Sequence, residues 1–133
     1  MSPFTAAERE YLTADGVRLG RVATVGADGT PHVVPVGFTY NAELDTIEIG
    51  GHEIETSKKY RDASRRGRAA MVVDDVVSTD PWRVRGIEIR GSAETLTEPR
   101  PRIRIHPERI VSWGIEERGR FARDVARPAT TSA

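Results

Sequence analysis

"VRLGRVATVGADGTPHVVPVGFTYNAELDTIEIGG", residues Val17 to Gly51, is the stretch that decides the fold. Two apolar, β-branched runs flank Gly26–Gly29, whose Asp-Gly step is a strong hairpin signal. A second turn at Asn41–Asp45 leads into the alternating run Thr46–Gly50. Arg18–Val25, His32–Tyr40 and Thr46–Gly50 therefore read as a three-stranded antiparallel meander.

The rest of the chain continues this pattern. Upstream, Thr5 and Glu8 have the T-x-x-E spacing of a capping box and predict a short helix over 5–13. Downstream, Thr56 or Ser57 caps a helix that runs to Arg66 and stops at Gly67. "RAAMVVDDV" is a fourth strand, and "VRGIEIRGSAETLTE" is a fifth, alternating at Ile87 and Ile89. Pro99 and Pro101 break the chain before a sixth strand, "RIRIHPERIVSWGI", which Pro107 interrupts at a bulge or a sheet edge. The expected architecture is mainly β with short helices: a closed six-stranded antiparallel barrel over residues 1–118. From Gly119 to Ala133 the composition turns small and polar, and the expectation is a disordered tail.

Bulk composition narrows the function. The 133 residues suit one domain, with 38% hydrophobic and 30% charged side chains. Twenty basic and 20 acidic residues give zero net charge, so the expectation is no nucleic-acid partner. No apolar run reaches membrane-spanning length and "MSPFTAAERE" lacks a signal segment, so the expected location is the cytosol, away from membranes. The absence of cysteine excludes disulfides, thiolate metal sites and cysteine nucleophiles. His32, His52 and His106 lack ligand spacing, and no metal site is expected. No G-x-S-x-G elbow, dinucleotide fingerprint or Walker loop is present, and no catalytic side chain stands out.

Against that neutral background, Lys58–Arg68 holds six basic residues and one acid. Arg65, Arg66 and Arg68 complement the C-terminal end of a helix dipole and need no ligand. Lys58 and Lys59 occupy the first turn, where the dipole disfavours cations. An anion held with Thr56, Ser57 and free helix N–H groups would account for them; a solvated helix face is the competing reading. Gly37, Gly50 and Gly51 mark either close backbone approach to a ligand or bends of a barrel. Trp82 and Trp113 either fill the core or wall an aromatic ligand. A phosphate-sized site without an acid, base or nucleophile suits a protein whose bound cofactor carries the chemistry.

The order of "DGTPHVVPVGFTYN", "SKKYRD", "RAAMVVDD" and "VRGIEIRGSAE" resembles the pyridoxamine-phosphate-oxidase-like split-barrel flavoproteins over roughly Thr5 to Glu117. Within them it looks most like the actinobacterial deazaflavin (F420)-dependent branch. The resemblance implies a homodimer with a cofactor groove between the chains. It places the cofactor phosphate on Ser57, Lys58 and Lys59, with Thr56 and Arg61 beside them. Backbone contacts to the ring fall on Val34, Pro35, Val36 and Gly37 and on Ile49, Gly50 and Gly51. Trp82, Arg85 and Trp113 are the expected contributions from the partner. Arg100, Arg102 and Arg104 are candidate holders of an F420 polyglutamate tail, and Tyr40 is a possible proton source. The implied activity is hydride transfer from reduced F420 to a small conjugated or aromatic acceptor. FMN is the alternative cofactor, and non-catalytic binding of F420 or a tetrapyrrole is the alternative role.

Overall fold

Three sequence fragments, "TIEI", "GIEI" and "RIRI", fill the interior of the protein. Their alternating isoleucines Ile47, Ile49, Ile87, Ile89, Ile103 and Ile105 are wholly buried, while the residues between them face outward. Each such side chain contributes about 1.5–3 kcal/mol by leaving water. The structure, a computed structural model, describes residues 2–16, 18–116 and 119–126. Helix α1 (Ala6–Thr13) precedes strands β1 (Gly20–Val25), β2 (Pro31–Val36), β3 (Thr39–Asn41) and β4 (Thr46–Ile49). A 3₁₀ turn (Ile54–Thr56) leads into α2 (Lys58–Arg66). Strands β5 (Arg68–Thr79), β6 (Trp82–Leu96), β7 (Arg102–Glu116) and β8 (Gly119–Asp124) follow.

The sheet runs β2-β1-β5-β6-β7-β4-β3 in space, with β8 pairing to β7. All pairings are antiparallel. Strands β2 and β3 stand at opposite edges of this order, yet only Gly37 and Phe38 separate them in sequence. Consecutive Cα atoms are about 3.8 Å apart, so the sheet must curl until its two edges meet at that step. No ladder joins β2 to β3 among the described residues, and the result is a curled, split half-barrel.

Two expectations are corrected here. The described residues form eight strands, not six, and no hydrogen-bonded ladder among them closes the barrel. One added strand arises because the run 32–40 breaks at Gly37–Phe38: β2 pairs with β1, and β3 pairs with β4, which in turn pairs with β7. The other is β8, in residues expected to belong to the tail; residues 127–133 lie outside the described set.

Other expectations hold. Thr5 and Glu8 form the capping box of α1, and Ser57 caps α2, which ends at Gly67 with φ +67°. Pro107 lies opposite Gly91 at a bulge, since the register shifts between Arg90 and Gly91. A Cβ on Gly91 would lie 1.8 Å from the His106 carbonyl oxygen, so only glycine fits there. No described helix is long and apolar enough to cross a membrane.

Candidate functional site

The first turn of α2 meets the floor of the β1–β2 hairpin, and the residues expected to hold an anion converge there. Thr24 and His32 are cross-strand partners in that hairpin, with Val34 two residues further along the same face. Opposite them stand Ser57, Lys58 and Lys59. These six residues line a cavity of about 220 Å³. Ser57 Oγ donates to the Ile54 carbonyl (2.6 Å) and accepts from the Tyr60 N–H (3.3 Å). Lys58 Nζ lies 3.3 Å from Asp62 Oδ2, and Arg65 reaches the other carboxylate oxygen at 3.5 Å. Asp62 is buried, so it fixes Lys58 at the cavity wall. Lys59 has no ion-pair partner among the described residues.

The remaining cations of the cluster have structural work. Arg66 donates to the carbonyls of Gly26 and Ala27 (2.9 and 3.1 Å) and pins the hairpin turn onto α2. Arg68 pairs with Glu108 (2.9 Å), and Arg61 folds back onto the Thr56 carbonyl (2.9 Å). Thr56 donates to the Glu53 carbonyl (2.8 Å). Neither Thr56 nor Arg61 lines the cavity.

The expected ring contacts are divided. Val34 faces the cavity, Pro35 and Gly37 are exposed, and Val36 and Ile49 are core residues whose side chains are unavailable. Gly50 and Gly51 line a second cavity of about 610 Å³ with Thr39, Glu48, Arg100 and Arg102 among its walls. It shares no lining residue with the first. Gly37, Gly50 and Gly51 all face open space, so nothing in the chain itself requires glycine there for lack of room.

The candidate tail arginines are mostly engaged. Glu48 accepts from Arg102 (3.2 Å) and Arg104 (2.8 Å) and from the Thr46 hydroxyl (2.7 Å). Burial pushes the Glu48 carboxyl up, but these bonds outweigh it and hold it below the usual range. Arg100 alone of the three projects without an ion-pair partner among the described residues.

Trp82, Arg85 and Trp113 lie elsewhere in the chain, along β6 and β7. Trp82 is exposed at the β5–β6 hairpin. Trp113 packs over Gly86, where a Cβ would lie 2.4 Å from the indole. Arg85 makes a two-pronged pair with Asp75 (2.9 and 3.2 Å) and stacks on Tyr11. The bond from Arg85 holds the Asp75 carboxyl low; burial and the Asp75 contact push the Tyr11 hydroxyl up to about 12. Tyr40, turned toward Asp45 and edge-on to Phe4, is likewise raised by burial and by that contact.

Thr24 and His32 are the site residues that the sequence reading missed. The signal was present in the hairpin: a turn at Gly26–Gly29 sets the register that places His32 across from Thr24. No group of three or more potential metal ligands occurs among the described residues.

The fold is a curled, split antiparallel barrel with a lysine-lined cavity at a helix start. The chain belongs to the pyridoxamine 5'-phosphate oxidase family, which it matches over residues 4–128. A 5a,11a-dehydrotetracycline/5a,11a-dehydrooxytetracycline reductase from Streptomyces rimosus is 48% identical over 92% of this chain and 94% of its own. An FAD-binding protein from Mycobacterium smegmatis superposes with a TM-score of 0.62 and 25% identity over 89% of this chain and 95% of that one. An F420 reductase superposes at 0.57 with 23% identity, over 76% and 94% of the two chains. The family and the reductase relative support an oxidoreductase of the split-barrel type.

Proposed function

We propose that the protein is a cytoplasmic, homodimeric reductase that uses reduced F420. The acceptor would be a conjugated carbon–carbon double bond of an aromatic polycycle, of the kind named in its Streptomyces relative. The observation that carries this reading is the convergence of Ser57, Lys58 and Lys59 with Thr24 and His32 on one cavity. A phosphate-bearing tail fits that donor set. When bound, the deazaflavin supplies the hydride. The chain's own part is to anchor the phosphate through Ser57, Lys58 and Lys59, leave the backbone at Gly37, Gly50 and Gly51 open to a planar ring, and exclude water.

The test is direct. Purified protein with reduced F420 and 5a,11a-dehydrotetracycline should oxidise the cofactor only when the acceptor is present. Bound F420 with no oxidation in the presence of this or other conjugated acceptors would leave a carrier, not a reductase. The second reading is an FMN enzyme, favoured by the similarity to an FAD-binding protein. It predicts turnover with reduced FMN in place of F420.

The homodimer rests on exposed apolar surface. Val76, Val77, Trp82 (66% exposed) and Val84 are all exposed and close together on the β5–β6 hairpin, and Val33 (65% exposed) is exposed on β2. Such a concentration of exposed side chains is characteristic of a protein contact. Replacing Val77 and Trp82 together by aspartate should convert a dimer to a monomer in light scattering and weaken cofactor binding by about tenfold or more. A monomeric wild-type protein, or a variant that stays dimeric, would count against this surface as the interface.

A further inference from the structure

We propose that His32 is a third cationic donor to the anion held by Lys58 and Lys59, and that cofactor binding takes up a proton on its ring. The inference rests on the reading above, that a phosphate-bearing cofactor occupies this cavity. His32 lines the cavity from β2 and is half-buried. Its position relative to Lys58 can be gauged from Gly26, at the start of the turn. A Cβ built there would lie 3.2 Å from Lys58 Nζ, 3.3 Å from His32 Nε2 and 3.4 Å from Asp28 Oδ1. Both side chains line the cavity, His32 from the sheet and Lys58 from the helix, and their ring and ammonium nitrogens come together beside Gly26.

The charged groups facing His32 are Lys58 and Lys59 from α2 and Asp28 from the β1–β2 turn. Asp62 stands behind Lys58, and Arg66 is engaged with the turn carbonyls. Asp62 is committed to Lys58 and Arg65. Asp28 accepts from the Thr30 N–H at 3.0 Å. An anion entering between the ring and the lysines stabilises the imidazolium, and histidine is the side chain that can change charge near neutrality. Affinity should therefore fall as pH rises.

The experiment measures F420 affinity by fluorescence from about pH 6 to about pH 8.5. F420 carries a phosphodiester, whose charge is constant there, whereas a phosphomonoester such as FMN titrates near pH 6 and would obscure the result. The wild-type protein should lose about tenfold in affinity across the range, the worth of one charge-assisted hydrogen bond. His32→Gln should be flat and match the wild-type value at high pH, with unchanged thermal stability. A His32→Gln profile as steep as the wild type, or a flat wild-type profile, overturns the role of His32. If Lys58→Ala/Lys59→Ala still abolishes binding in that case, the anion cavity itself stands. If F420 does not bind at all, the His32 ring resonances are followed by NMR during addition of inorganic phosphate. A shift abolished by the lysine substitutions supports the proposal for the anion alone and rejects the F420 reading; no shift overturns both.

Discussion

Lys58→Ala/Lys59→Ala should lower affinity for the cofactor by at least about 100-fold, measured by fluorescence titration at fixed salt. Two charge-assisted contacts are removed from one small cavity, each worth about 1.5–3 kcal/mol. The two lysines are not equivalent. Lys58 also compensates the buried carboxylate of Asp62, whose Oδ2 has no hydrogen-bond partner. Lys58→Ala therefore destabilises the fold as well as the site, leaving Asp62 with only Arg65 as an ion-pair partner among the described residues. Lys59→Ala leaves that pair intact and should weaken binding without moving the thermal midpoint. Raised salt should weaken the wild type more than the double variant. Unchanged affinity in the double variant would identify the lysines as a solvated helix face and remove the main support for a phosphate-bearing cofactor.

What could be read from the sequence was mostly what is locally determined. The capping box of Thr5 and Glu8, the Gly26–Gly29 turn and the Gly67 stop each depend on neighbours a few residues away. The Asn41 turn is of the same kind: the Asn41 side chain accepts from the N–H groups of Glu43 and Leu44. The split of 32–40 into two strands could not be read this way. Alternation carries on through Gly37 and Phe38, and only the distant partners β1 and β4 reveal that the two halves belong to opposite edges.

The same reasoning applies to the site. Ser57, Lys58 and Lys59 are adjacent in sequence and announce a helix start, so their meeting was legible. Val34, His32 and Thr24 join them only because the hairpin folds under α2. Conversely, Arg100, Arg102 and Arg104, before and on β7, looked free in sequence. A single glutamate, Glu48 on β4, occupies two of them across the β4–β7 ladder.

Strand β8 was missed for a different reason, and it leads to the largest stability effect expected. "GRFARD" has little apolar alternation; it docks through its backbone ladder with β7 and through an ion pair from Arg123 to Glu8 near the other end of the chain. Glu8 of α1 is wholly buried and accepts from Arg123 at both oxygens, from Ser112 Oγ (2.7 Å) and forms the cap with the Thr5 N–H (2.9 Å). Burial pushes its carboxyl up, but the bonds from Arg123, Ser112 and Thr5 prevail and hold it below the ordinary value. A carboxyl lowered in the folded state stabilises the fold above its unfolded value, near 4.5, and that stability is lost as pH falls through the lower folded value. Glu8→Ala should therefore destabilise the protein by about 3–5 kcal/mol at neutral pH, a large share of the typical 5–15 kcal/mol. Arg123 would keep the Pro3 carbonyl (2.8 Å) but lose its counter-charge, and Ser112 would lose its acceptor. Urea unfolding at pH 7 reads the first effect. Thermal midpoints taken downward from about pH 5 read the second, because Glu8→Ala lacks this component and should be less sensitive to acid than the wild type. A cost of only about 1 kcal/mol is what a lost helix cap is worth. That result would mean that β8 contributes little through Arg123, and that α1 is held mainly by the burial of Tyr11 and Leu12, with Phe4 just before the helix.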